Sequence, residues 1–287
     1  MKISEYFSLG TNFDFYDVDI HKDNYRFIDP HYVRTLNDDF CKKAVTYIDS
    51  FFKDFLIQFQ SDNPDGAKNL LDHFHELNNT RLGMSKDTPH GKAIGKINAD
   101  QIFSGIVNSD LFIKGTANQF EDISLYLKGI DKDKMSDMVT NIIKEPLAIF
   151  TLEQCKKHNI PYKDFEIEYW NPNSFRWEKS IFGLPFDNDG KYLLFVPKNI
   201  LCIHTAYNFR TFLYKSILPF YKEIYLKNKN PLVKTIKLKN GQEKCLINKK
   251  DILKDLQKKY VIDKDFAIKN TKEHPELLKK FKQMKMK

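Results

Sequence analysis

Apolar positions recur at three- and four-residue spacing through the first half of the chain, and at two-residue spacing in parts of the second. Phe40, Ala44, Ile48, Phe51, Phe52, Phe55, Leu56 and Phe59 form one stripe, which predicts a helix capped by Asn37 and running to about Gln60. Leu70, Leu71, Phe74 and Leu77 predict a second helix, Ala67 to about Asn79, with Asp72, His75, Glu76 and Asn79 turned away from the core. Ile102, Phe103, Ile106 and Val107 predict a third over 99–108, begun by Asn98. "NQFEDISLYLKG" reads as a short helix closed by Gly129, and Pro146 opens another that carries Leu147, Phe150 and Cys155 inward.

Strand signals bracket this helical block. "FDFYDVDIHKDNYRFIDP" (13–30) predicts a hairpin turning at His21–Asn24, with Ile20 opposite Tyr25, Val18 opposite Phe27 and Asp19 opposite Arg26. After residue 160, Phe165–Trp170, Phe175–Glu178 and Tyr192–Val196 read as strands, with turns at "NPNS" and "DNDG". A long helix over roughly Thr205–Lys227 follows, then a hairpin around Asn240–Gly241 and a lysine-rich helix capped by Asn248. The expectation is an α+β fold: a mostly helical N-terminal half after an opening β-hairpin, and a mixed C-terminal half. The division falls as 1–160 and 161–287, or the two form one continuous domain.

Composition adds to this picture in three ways. The content is 41% hydrophobic and 14% aromatic, that of a folded chain. No run approaches the roughly 18 apolar residues of a membrane span, and the first residues lack a secretory pattern, so a cytoplasmic location with no membrane is expected. Cys41, Cys155, Cys202 and Cys245 are scattered without a CxxC pair, as in a reduced protein. The net charge of +8 is uneven: residues 227–287 hold 19 Lys against 7 Asp and Glu. That basic end fits a polyanion. Only five of the 46 basic residues are Arg, so the lysine excess also matches the codon bias of an AT-rich genome.

Candidate chemistry is dispersed. "GIDKDKMSDMVTNII" (129–143) concentrates acidic residues before an apolar helix. Ser136 is expected to cap that helix, with Asp137 in its first turn, which leaves Asp131 and Asp133 as metal candidates beside Asp29. An EF-hand is excluded, because position six is Ser136 and position twelve is Ile142. His73, His75 and Glu76 on one helix diverge and lack the HExxH spacing. Glu76 and Arg81 flank "NNT", and "GKAIGK" places flexible backbone before a helix, an anion site without the P-loop pattern. Arg81 presents a planar fork to a phosphate or to a carboxylate such as Glu76. Lys198 ends the apolar run "LLFVPK", where a nuclease would hold a lysine beside its Mg²⁺ carboxylates. The PD-(D/E)xK pattern is broken there by Val196.

Taken together, "FYDVDI…RFIDP", "NNTRLG", "GIDKDKMSDMVTNII" and "LLFVPK" resemble an uncharacterised group of bacterial proteins associated with antiviral defence loci. The resemblance implies a cytoplasmic effector, nucleolytic among the options, and assigns no residue a role. Two functions stay open, with a nucleotide-binding enzyme using "GKAIGK" as a third. One is a metal-dependent nuclease on DNA or RNA with Glu76, Arg81 and Lys198 as catalytic residues and Asp29, Asp131 and Asp133 holding Mg²⁺. The other is a non-enzymatic nucleic-acid-binding or regulatory subunit of a larger defence complex with a protein partner.

Overall fold

The computed structural model describes residues 1–61, 63–75, 77–84 and 96–284, with backbone alone at 96–98. In chain order it contains α1 (Ile3–Tyr6), β1 (Phe27–Ile28), α2 (Pro30–Thr35), α3 (Asp39–Gln60), α4 (Pro64–Asp72), α5 (Lys96–Ser109), α6 (Ile123–Tyr126), α7 (Lys132–Ile142) and α8 (Lys144–His158). There follow β2 (Lys163–Asn171), β3 (Arg176–Leu184), β4 (Leu201–Cys202), α9 (Phe209–Phe212), α10 (Leu218–Lys227), β5 (Lys234–Lys237), β6 (Glu243–Leu246), α11 (Lys249–Gln257), α12 (Lys264–Glu273) and α13 (Glu276–Gln283). The α+β class is the one expected, with three two-stranded antiparallel sheets, β1–β4, β2–β3 and β5–β6, among the described residues.

The chain divides into two compact units. The first joins Met1–Ser104, Gln119–Glu121 and Gly129–Thr205; the second joins Gly105–Asn118, Asp122–Lys128 and Ala206–Lys287. The β2–β3 hairpin therefore belongs with the helices before it, on the N-terminal side of a division at Thr205.

In the first unit the phenylalanine stripe of α3 is the core. Ala44, Ile48, Phe51, Phe52 and Phe55 are all buried, and the Phe51 ring meets Phe74 and Trp170, each at 5.2 Å, and Trp177 at 5.9 Å. Burying large aromatic rings in edge-to-face contact combines area burial with favourable ring quadrupole geometry. Asp38, one residue later than expected, caps α3 by accepting from the Cys41 N–H at 2.9 Å. α4 starts at Pro64 and ends at Asp72, about two turns short of the expected end near Asn79.

The opening segment turns at 21–24 as expected. Asn24 closes that turn with its side chain, accepting from the Asp19 N–H at 3.0 Å and donating to the Asp19 carbonyl at 3.1 Å. The limbs, however, pair elsewhere: Asp19 bridges Lys2, Phe15 bridges Pro197, and Phe27 and Ile28 pair with Cys202 and Leu201. Asp19 and Arg26 form no ion pair; Arg26 lies over the Tyr16 ring, 5.1 Å from its centre. The expected strand 192–196 is irregular, and its Leu193–Val196 part is buried. Its amides bond to scattered acceptors, Leu194 N–H to the Asn79 carbonyl at 2.9 Å and Phe195 N–H to Thr151 Oγ1 at 2.9 Å. A run buried on every side needs each amide satisfied, and separate partners do this without a neighbouring strand.

In the second unit Phe212 packs on Phe281 at 4.9 Å and on Tyr126 at 6.1 Å. Asp122, fully buried, accepts from Tyr207 Oη at 2.6 Å, Lys282 Nζ at 2.7 Å and the Asn118 N–H at 2.9 Å, which ties α13 to the 118–122 segment. Asn208 begins α9, and a π turn over Leu213–Ile217 leads into α10. That wide turn ends two residues before Pro219, whose missing N–H and ring disrupt the regular helical ladder. Asn248 caps α11 as expected, bonding the Lys250 N–H at 2.9 Å.

Candidate functional site

The predicted site residues are placed in separate surroundings. Asp29 is buried at the N-cap of α2, where its Oδ1 accepts from the N–H groups of His31 at 3.0 Å and Tyr32 at 3.4 Å. Asp131, not Ser136, caps α7, accepting from the Lys134 N–H at 3.0 Å. The helix starts a turn earlier than expected, and Ser136 lies inside it. There it is buried and accepts the Ile28 N–H at 3.0 Å, joining α7 to β1.

Asp133 occupies the first turn of α7. Burial, then the charges of Asp131 and Asp23, hold its carboxyl above the usual carboxylate range. Gly83, at φ +149°, lets Asp23 approach: a Cβ there would meet Asp23 Oδ2 at 2.9 Å and Asp133 Oδ1 at 3.7 Å. Among the described residues no group of three or more His, Cys, Asp or Glu side chains is arranged to hold one metal ion.

Arg81 uses its guanidinium on a carboxylate, as one of the two expectations had it, and the carboxylate is Asp187. The Nη2–Oδ2 distance is 2.8 Å and the side chains are 11% and 7% exposed. Asp187 also accepts from the N–H groups of Asp189 at 3.0 Å and Lys191 at 2.9 Å, so it anchors the "DNDG" turn. The Arg81 carbonyl in turn receives Asn24 N–H at 2.8 Å and Nδ2 at 2.9 Å, with Arg81 itself in the left-handed region at φ +54°. Lys198 is exposed, and its Nζ donates to the Phe13 carbonyl at 2.6 Å above the Phe13 ring. It forms no ion pair among the described residues. Glu76 and the "GKAIG" segment lie outside the described residues. Among the described candidate positions, the Asp131 charge acts on Asp133.

Sequence reasoning passed over a second polar group, around Lys144. This lysine occupies the first turn of α8, is 5% exposed, and makes no hydrogen bond or ion pair among the described residues. Burial lowers its pKa to about 8, and the charge of Glu168 on β2 opposes that shift. Glu168 pairs with His73 Nδ1 at 3.0 Å, and the His73 ring lies flat on Trp177 at 5.2 Å. Nearby on α7, Asn141 is fully buried, gives its Nδ2 to the His75 carbonyl at 2.6 Å, and leaves Oδ1 without a hydrogen-bond partner among the described residues. The signal in "IIKEPLAIF" was a lysine directly after two isoleucines at a helix start.

The second unit carries a different kind of chemistry. It holds 24 Lys and Arg against 10 Asp and Glu, a net +14, leaving a net −6 for the first. The β5–β6 ribbon is exposed along both strands except at Leu246. Lys234, Lys237, Lys239 and Lys244 are exposed and make no ion pair among the described residues. In the register, Lys234, Ile236 and Lys244 share one face, and Ile236 and Leu238 are 41% and 37% exposed. Gly241, at φ +78°, closes the loop with its N–H on the Leu238 carbonyl.

A family model, a domain of unknown function (DUF8370), matches residues 8–208, and the chain belongs to that family. The match ends close to the Thr205 division, so most of the basic end lies beyond it. No curated protein and no solved structure matches the chain. No helix among the described residues is long and apolar enough to cross a membrane.

Proposed function

We propose that this protein binds nucleic acid, non-enzymatically, through the lysine surface of its second unit, as a subunit of a larger assembly in the cytoplasm. One observation carries the reading: a net +14 on that unit, with four unpaired lysines on an exposed two-stranded ribbon. Lysines without acidic partners are free to displace counterions from phosphates, and a two-stranded ribbon has the dimensions of the DNA major groove. The exposed Ile236 and Leu238 supply apolar contact beside Lys234 and Lys244.

The test is fluorescence anisotropy of the intact chain with duplex DNA and single-stranded RNA from low to moderate salt. Affinity should fall steeply with salt. Replacing Lys237, Lys239 and Lys244 by Glu should reduce the slope for duplex DNA by about 3, roughly one per lost phosphate contact. Binding that ignores salt, or a slope unchanged in the triple variant, overturns the reading.

A metal-dependent nuclease is the second reading, favoured by the Asp131 and Asp23 charges acting together on the half-buried Asp133 carboxyl. A divalent cation such as Mg²⁺ would relieve that repulsion. Mg²⁺-dependent cleavage of DNA or RNA by the parent, lost in Asp133→Asn, would establish it.

A further inference from the structure

The two faces of the β5–β6 ribbon differ in charge and in chemistry. The register sets Lys234 opposite Leu246 and Ile236 opposite Lys244. The Leu238 N–H bonds the Gln242 carbonyl at 2.8 Å, which carries the same register one pair further. Lys234, Ile236, Leu238, Gln242, Lys244 and Leu246 therefore share one face. The other face carries Thr235, Lys237, Glu243 and Cys245. Glu243 would meet a phosphate-lined groove with like charge, whereas the first face holds two lysines and no carboxylate. Charge thus selects the first face for contact with DNA.

That face also holds side chains able to tell base pairs apart. Ile236 and Leu238 are exposed, and Gln242 is exposed directly across from Leu238. Asn240 Nδ2 donates to Gln242 Oε1 at 3.1 Å, and the Gln242 N–H bonds Asn240 Oδ1 at 3.1 Å. This pair orients the Gln242 amide and leaves its Oε1 a second lone pair and its Nε2 two protons to donate. In the major groove adenine presents an N6 donor and an N7 acceptor, which a glutamine amide matches in both positions. Thymine presents a methyl group, which an aliphatic side chain matches. Against a G·C pair the same aliphatic side chain would cover the cytosine amino group and leave it unbonded.

We propose that the ribbon prefers A·T-rich duplex DNA, reading it in the major groove with Gln242 on adenine and with Leu238 and Ile236 on thymine methyl groups. The inference rests on the nucleic-acid reading above and adds the class of sequence it favours. Lys234 and Lys244, on the same face as Ile236, supply the accompanying phosphate contacts. Duplex RNA is not an equal target, because side chains cannot read its deep, narrow major groove.

The test is fluorescence anisotropy of the intact chain with three duplexes of equal length: alternating A·T, the same sequence with uracil for thymine, and alternating G·C. The parent should bind the A·T duplex about tenfold or more tighter than the G·C duplex. Uracil removes only the major-groove methyl, and should weaken binding about fourfold per contacted methyl. Gln242→Ala and Leu238→Ala should each bring the A·T affinity toward the G·C value; both side chains are exposed, and a melting curve checks that the variants fold. Salt-dependent binding of equal strength to the A·T and G·C duplexes overturns the base preference and leaves the nucleic-acid reading standing. An A·T preference that survives uracil, or survives the Gln242→Ala/Leu238→Ala double variant, places recognition in the minor groove or in duplex shape and also overturns the proposal. No salt-dependent binding to any duplex overturns both readings and leaves the face to a protein partner.

Discussion

The two units handle charge in opposite ways. The first, at −6, works its charged groups into the fold. Arg34 holds Asp49 at 2.7 Å and the buried Glu121 at 2.8 Å, Arg81 holds Asp187, Asp29 caps α2, and Lys144 is buried. The second, at +14, keeps one such network, at Asp122, and displays most of its lysines to solvent. A charge inside a fold is a stability and reactivity element, because its desolvation must be matched by a specific partner. A charge on an exposed ribbon contributes almost nothing to stability and is available to a polyanion. The same residue types thus serve different ends according to depth.

The largest effect expected from this contrast is at Asp187. Replacing it by Ala leaves the Arg81 guanidinium buried and unpaired, and should lower unfolding free energy by about 3–5 kcal/mol in denaturant titration. A loss under 1 kcal/mol would move Arg81 into the solvated class and blur the comparison. Next comes Ser136→Ala, which takes the acceptor from the buried Ile28 N–H. A loss of about 1–3 kcal/mol is expected, whereas Asp131→Ala, a cap deletion, should cost about 0.5–2 kcal/mol.

Asp133 sharpens the comparison through pH. Its folded pKa is raised by burial and by Asp131 and Asp23, so the folded chain binds its proton more tightly than the unfolded chain does. That contribution is full below the ordinary carboxylate pKa and is lost as pH rises through the folded value. Asp133→Asn should therefore raise the melting temperature at pH 7, with the gain shrinking in acid. A variant that melts lower than the parent at neutral pH would show a favourable charge interaction instead. The smallest effect should come from the ribbon. Single Lys→Glu changes at 237, 239 or 244 are expected to stay within about 0.5 kcal/mol of the parent, and a larger loss would mean that the ribbon is packed in solution.

What could be read from the chain follows a physical boundary. The α3 stripe was legible because helical spacing and a run of phenylalanines leave one face to bury. The Asn240–Gly241 loop and the Asn248 cap were legible because their determinants lie within a few residues. The cap of α7 was ambiguous, since both Asp131 and Ser136 carry the required oxygen; the contact from Ile28, 108 residues away, assigns Ser136 elsewhere. Arg81 advertised a partner by its guanidinium but not which one, and Asp187 stands 106 residues further on.

The sequence alone determined the α+β class, the helical block with its aromatic core, the local turns and caps, and the gradient of charge toward the basic end. These depend on periodicity, side-chain chemistry at short range, and counting. Only the tertiary structure decided that β1 pairs with β4, that the 192–196 run is irregular, that the metal candidates are largely helix caps, and that Lys144 is buried. Strand partnership, ion-pair choice and depth are properties of residues brought together from distant parts of the chain, and a side chain's solvation is fixed only when its neighbours are.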